Sequence, residues 1–202
     1  MNKNTFQSTE SKAVIAGYVR SPFTPAKRGS LAKIRPDDIA TSVVNGLIEN
    51  TGIDPSLIED LIVGTAFPEA EQGFNVARMI IFLSDLPETV PGVTINRFCG
   101  SSMQAIHDAV GRISMGAGQA FIAGGVESMT RIPMTGFNPM PNPKLISEFP
   151  EAFTSMGITA ENLAKKYSID RTTQEEFAIE SQRKATSSME NGAFTDEIIP
   201  IN

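Results

Sequence analysis

The 202-residue sequence holds one cysteine, one histidine, two tyrosines and no tryptophan. A single thiol cannot close an intrachain disulfide, and Cys99 with His107 cannot furnish a multi-cysteine zinc site, so a resident metal is not expected. The chain reads as reduced, intracellular and cytoplasmic. No run approaches the ~20 apolar residues of a membrane-spanning helix, and the opening MNKNTFQSTESK is a polar arm without the apolar core of a signal peptide. Positive charge is also scarce: 17 Lys and Arg stand against 23 Asp and Glu, a formal charge of −6, with the basic residues scattered. Neither nucleic acid nor a membrane is therefore an expected partner. What is present, 41% hydrophobic and 20% charged residues without repeats or low-complexity tracts, is enough for a buried core in one large or two small domains.

Short apolar runs alternate with helical patterns. AVIAGYV (13–19), DLIVGTAF (60–67), GVTINRF (92–98) and QAFIAGGVE (119–127) predict four strands. Between them, a helix is expected from Pro36, with Asp37 and Asp38 at its positive end, to about Asn50, ended by Gly52. Others are expected over 74–83 and 101–116. This order implies βαβ units and a mostly parallel sheet. The chain from Ser128 to Phe153 carries Pro133, Pro139, Pro141, Pro143 and Pro150 and reads as an ordered excursion or a loop. Helical pattern returns over 159–168 and from Thr172, where Glu175 three residues on has capping-box spacing. Phe177, Ser181, Ala185 and Met189 share one face of that helix. The apolar DEIIPIN at the end looks like a cut through a strand, so residues 1–127 are expected to be a core domain and 128–202 part of a second one.

The helix after Cys99 sorts into two faces. Met103, Ile106, Val110 and Ile113 form an apolar stripe, and Ser101, Ser102, Ala105 and Ala109 a side of small residues. Such a helix packs on two sides and points its N-terminus into the protein. Cys99 then sits at a strand-to-helix turn, where free N–H groups and the positive end of the dipole favour a thiolate and an oxyanion. Buried cysteines are more often small hydrophobes, so position alone leaves nucleophile and filler both open. His107 lies eight residues along, about 12 Å up the helix and about 80° around from Cys99. It cannot reach the thiol and reads as a structural histidine. GGVE lacks nucleotide-loop spacing, so Gly124 and Gly125 read as a tight strand exit or a close-packing site. Met103, Met115, Met129, Met134, Met140 and Met156 read as core filling sooner than as a channel, and Glu161 and Asn162 as a solvated first helical turn.

NRFCGSSMQAI (96–106) resembles the nucleophile motif of the thiolases. The resemblance runs on through GGVESMTRIPM (124–134), MGITAENLAKKYSIDRTTQEEFAIESQRKA (156–185) and AFTDEIIPI (193–201). It covers almost the whole chain and is greatest to bacterial degradative 3-ketoacyl-CoA thiolases and acetyl-CoA acetyltransferases. It implies an α/β fold of αβαβα layers built from two similar halves, with this chain as the N-terminal half and part of the loop domain. It also implies acyl transfer between a 3-ketoacyl-CoA and CoA, as thiolytic cleavage or the reverse condensation, in fatty-acid metabolism and β-oxidation. Coenzyme A then serves as substrate and no cofactor is expected. By the same resemblance Cys99 is the nucleophile, its own N–H is one oxyanion donor, and Met156 lines the pantetheine and acyl tunnel, with Ser155 where some relatives carry histidine. A homodimer or tetramer is implied as well. The Gly-His-Pro, Asn-Glu-Ala-Phe and Cys-x-Gly motifs that supply the family's other catalytic groups are absent. Three readings follow: a thiolase portion completed by a C-terminal half that is lost from this chain or borne on a second one; a β-ketoacyl synthase relative; and a non-catalytic truncated fragment.

Overall fold

A computed structural model describes residues 13–201, so the polar arm expected over the first dozen residues lies outside the described ones. Two compact units are present: the described residues of Met1–Phe137 with Glu197–Asn202, and Asn138–Asp196.

The first unit is built on a three-stranded sheet, β1 (Asp60–Gly64), β2 (Gly92–Ile95) and β3 (Phe121–Gly125). Its order is β2-β1-β3 and every pair is parallel. Each crossover carries a helix, as parallel strands require: α1 (Pro36–Thr51) precedes β1, α2 (Val76–Leu83) joins β1 to β2, and α3 (Ser101–Ser114) joins β2 to β3. The expected α1 is borne out to its ends, with proline in the first turn and Gly52 closing it at φ +64. Central β1 is buried at all five positions, as an apolar run covered on both faces must be. Alternation divides its side chains. Leu61 and Val63, with Ile122 of β3, join Val76, Ala77, Ile80 and Ile81 of α2 and Val44 of α1 in the larger core. Ile62 faces the other way, against Ala105 and Ala109 of α3.

α3 thus meets the sheet through its small residues. Its apolar stripe points outward, with Met103, Ile106 and Val110 exposed, so within the described residues the helix packs on one of the two sides expected of it. Its far end is fastened by an ion pair of Arg112 with the buried Asp60, beneath which the Phe121 ring lies 5.9 Å from the guanidinium. On the opposite face Asp37 at the start of α1 binds Arg35 at 2.7 Å, and Glu71 binds both Arg35 and Arg131. The Asp37 carboxylate holds the Arg35 guanidinium above its ordinary pKa.

The strand expected over 13–19 is not formed. A strand exists through its partners, and among the described residues only Arg20 finds one: its N–H donates to Glu197 O at 2.7 Å and its carbonyl accepts from Ile199 N–H at 2.9 Å. Val14, Ile15 and Tyr18 are left exposed. The six methionines read as core filling are also exposed, from 36% for Met129 to 83% for Met115 and Met140, because the core is filled by branched aliphatic side chains.

In the second unit, the proline-rich excursion contains α4 (Pro143–Glu148), started by Asn142, whose carboxamide oxygen accepts from Lys144 N–H at 2.9 Å. α5 (Met156–Lys166) and α6 (Arg171–Glu190) follow. The Thr172–Glu175 capping box is not used. Asp170 caps α6 instead, accepting from Thr173 N–H at 2.8 Å, and Glu175 pairs with Arg171 at 2.7 Å. A carboxylate two residues earlier matches the positive helix end better than a hydroxyl does. Phe177 and Met189 on the expected α6 face are exposed. Among the described residues no helix is long and apolar enough to cross a membrane.

Candidate active site

Ligands of parallel α/β sheets bind beyond the carboxyl ends of the strands, and Cys99 lies at that edge, between β2 and α3. The turn is compact. Asn96 Oδ1 accepts from Phe98 N–H at 2.8 Å, a side-chain mimic of a backbone turn. Phe98 is left-handed at φ +47, a conformation that costs a bulky residue energy unless its surroundings impose it. Ser101, the first residue of α3 and 3% exposed, locks the far side. Its hydroxyl donates to Phe98 O at 2.6 Å and accepts from Arg97 N–H at 2.8 Å.

Cys99 itself is exposed, at the open edge of the unit and not directed into its interior as the sequence suggested. Gly100 and Ser101 spend their N–H groups on Arg97 O and Phe98 O, at 3.1 and 3.0 Å. The first intrahelical bond is Gln104 N–H to Gly100 O, so the amides of Ser102 and Met103 fall outside the ladder at the positive end of the helix. Backbone donors and a thiol therefore share one turn, the arrangement that covalent acyl transfer requires.

Two glycines seat this turn. Gly64 and Gly125 are partners across β1 and β3. A Cβ on Gly64 would lie 2.5 Å from the Ser101 carbonyl carbon, and one on Gly125 would lie 2.0 Å from Ser102 Oγ. The expected close-packing role of GGVE thus holds for Gly125, whereas Gly124 meets nothing within 4 Å.

Sequence reasoning missed the polar groups behind the turn. Asn96 Nδ2 donates to Ala66 O at 2.9 Å, and Ala66 N–H donates to Glu127 Oε2 at 2.6 Å. The fully buried Gln72 donates to Glu127 Oε1, Thr65 Oγ1 and Phe67 O at 2.6, 3.0 and 3.0 Å, and accepts from Ser128 N–H at 2.7 Å. The Phe67 and Phe98 rings lie 6.2 Å apart. Only Asn96 had a local signal, an Asx residue two positions before a turn; Gln72 and Glu127 are brought in by the fold.

His107 is exposed on α3, away from the thiol as its spacing predicts. Met156 opens α5 in the second unit at 70% exposure, after Ser155, whose hydroxyl accepts from Ile158 N–H at 3.4 Å. Glu161 and Asn162 are exposed on the same helix. Among the described residues no group of three His, Cys, Asp or Glu is placed to hold a metal.

The family model described as "Thiolase, N-terminal domain" matches residues 13–202. The chain belongs to the thiolase family. It is similar to the 3-ketoacyl-CoA thiolase of Bacillus subtilis (strain 168), with 46% identity over 190 residues, 94% of this chain and 49% of that protein. It is also similar to the 3-ketoacyl-CoA thiolase of Saccharophagus degradans, with 43% identity over 92% of this chain and 48% of the relative. Among solved structures, the acetyl-CoA acetyltransferase of Bacillus anthracis superposes with a TM-score of 0.79 at 33% identity, covering 93% of this chain and 50% of that one. The chain spans about half the length of the curated relatives it matches. The parallel sheet and its helices are thus the α/β fold of a thiolase N-terminal half.

Proposed function

We propose that this chain carries the acyl-accepting cysteine of a thiolase that exchanges acyl groups between 3-ketoacyl-CoA and CoA. The observation that carries this reading is the Cys99 turn, where an exposed thiol stands beside unspent N–H groups at the start of α3. In the cleavage direction the Cys99 sulfur attacks the ketone carbon C3. The S–C3 bond forms, the C2–C3 bond breaks, and its electron pair stays on C2, which takes a proton to leave as acetyl-CoA. The thiol of a second CoA then attacks the Cys99 thioester, carries off the shortened acyl group and returns the cysteine. The oxyanion of each tetrahedral intermediate is held by backbone amides, Cys99 N–H among them. Met156 contributes to the pantetheine and acyl site.

The acid and base come, in this reading, from outside these 202 residues, because the one histidine stands away from the thiol and there is no second cysteine. A C-terminal half like that of the longer relatives completes the enzyme, which works in the cytoplasm as a homo-oligomer in β-oxidation. The test is an intact-mass spectrum before and after incubation with acetoacetyl-CoA. One acetyl group mapping to Cys99 supports the reading. A folded chain that gains none, even when supplied with the C-terminal half of a homologous thiolase, overturns it.

A further inference from the structure

We propose that Asn96 and Glu127 are positioning residues for Cys99, joined by a hydrogen-bond relay that runs through Ala66 and holds Phe98 in its left-handed conformation. The inference rests on Cys99 being the acyl acceptor, but its links are independent of any substrate. Glu127 leaves β3 and accepts from Ala66 N–H at 2.6 Å. Ala66 leaves β1 and its carbonyl accepts from Asn96 Nδ2 at 2.9 Å. Asn96 leaves β2 and accepts from Phe98 N–H at 2.8 Å. The carboxyl ends of all three strands are thereby tied in one line that ends at the residue before the thiol.

Physical chemistry gives each link a reason. A phenylalanine at φ +47 relaxes toward the ordinary basins unless its amide is pinned, and Asn96 pins it. A side-chain amide that both donates and accepts is fixed in plane only while both partners stay put, so Asn96 depends on where Ala66 sits. The Ala66 N–H in turn meets a carboxylate, the stronger class of acceptor. Gln72, without exposed surface and bonded to the other Glu127 oxygen at 2.6 Å, prevents that carboxylate from swinging away. Since the donors for an oxyanion belong to the same turn as the thiol, a turn that relaxes loses acyl transfer before it loses simple nucleophilicity.

That difference supplies the test. Acetylation of Cys99 by 4-nitrophenyl acetate passes through an oxyanion: the S–C bond forms, 4-nitrophenolate departs and the thiol proton goes to solvent. Alkylation by iodoacetamide displaces iodide and needs no oxyanion donor. The readout is the ratio of the two rate constants, by intact mass, in a double-mutant cycle. In Asn96→Ala the ratio falls about tenfold, the effect of one positioned hydrogen bond. In Glu127→Ala it falls about threefold, and the double variant is no worse than Asn96→Ala alone, the non-additivity of a shared path. Asn96→Ser, whose hydroxyl can still accept from Phe98 N–H, recovers part of the loss. An unchanged ratio in folded Asn96→Ala, or additive effects in the cycle, overturns the proposal. Should the alanine variants fail to fold, Asn96→Ser and Glu127→Gln are judged by the same two criteria. A chain that takes acetyl from 4-nitrophenyl acetate but none from acetoacetyl-CoA, even when supplied with the C-terminal half of a homologous thiolase, refutes the thiolase reading and leaves the relay standing.

Discussion

Gly125 and Ser102 approach so closely that a Cβ on the glycine would lie 2.0 Å from the serine hydroxyl oxygen. The first turn of α3 therefore rests on bare backbone, and the neighbouring Gly64 forms the rest of the seat. The two glycines are not equivalent. At Gly64 an added methyl meets backbone atoms of Ser101 and Ser102, at 2.5 and 2.7 Å, whereas at Gly125 the nearest atom is a side-chain hydroxyl that can rotate away. Gly64→Ala is expected to cost about 1–3 kcal/mol, as overpacking does, and to slow acetylation of Cys99. Gly125→Ala should do less on both counts. Urea denaturation with the Cys99 assay checks the order, and a harsher Gly125→Ala contradicts it.

Cys99→Ala removes an exposed side chain from a turn held by Asn96 and Ser101. Stability should change by less than about 0.5 kcal/mol, as for other surface substitutions, while covalent uptake of acetyl from acetoacetyl-CoA disappears. Persistent labelling at one site in this variant would assign the nucleophile elsewhere.

Arg112 and Asp60 tie the other end of α3 to the sheet. Asp60 is 6% exposed, and its second carboxylate oxygen is buried without a hydrogen-bond partner among the described residues, so it depends on that one cation. Arg112→Leu should destabilise by about 2 kcal/mol, most of it the penalty of an uncompensated carboxylate. Asp60→Asn together with Arg112→Leu should recover part of the loss. Chemical denaturation of the two variants decides it: a double variant less stable than Arg112→Leu alone refutes the ascription to charge.

Asp170 carries a pH dependence of known sign. The bond from Thr173 N–H to its carboxylate lowers the Asp170 pKa below the ordinary carboxylate value, so the folded helix binds this proton less readily than the unfolded chain does. Its contribution is present above the unfolded pKa of about 3.9 and is lost as pH falls through the lower folded value. The protection of the Thr173 amide, the intrinsic exchange rate at each pH relative to the observed one, should fall below about pH 4. Asp170→Asn, which keeps an acceptor without a titrating group, should flatten that dependence; equal slopes in both proteins would count against the cap.

Much of this was legible locally. Pro36 and Gly52 bound α1 because their backbone preferences act within a residue or two, and the apolar runs at Asp60, Gly92 and Gln119 each contain a strand. Each run extends beyond its strand at one or both ends, since hydrophobicity does not mark where pairing stops. Ala13–Val19 has the same composition and forms no strand. Thr172 offered a capping box as good on paper as the Asp170 cap that formed.

By itself the sequence determined the helices and the three strands around the sheet, that the sheet is parallel, that a lone thiol precedes α3, and, through long specific motifs, the family. These follow from periodicity, backbone preference and residue order, all local. Only the tertiary structure decided that α3 buries Ala105 and Ala109 while Met103 and Ile106 face outward. Only there do Asn96, Ala66 and Glu127, some 30 residues apart from one to the next in the chain, meet behind Cys99. A helix wheel names two faces but not the partner of either, and a hydrogen bond between three strand ends exists only once the strands are side by side.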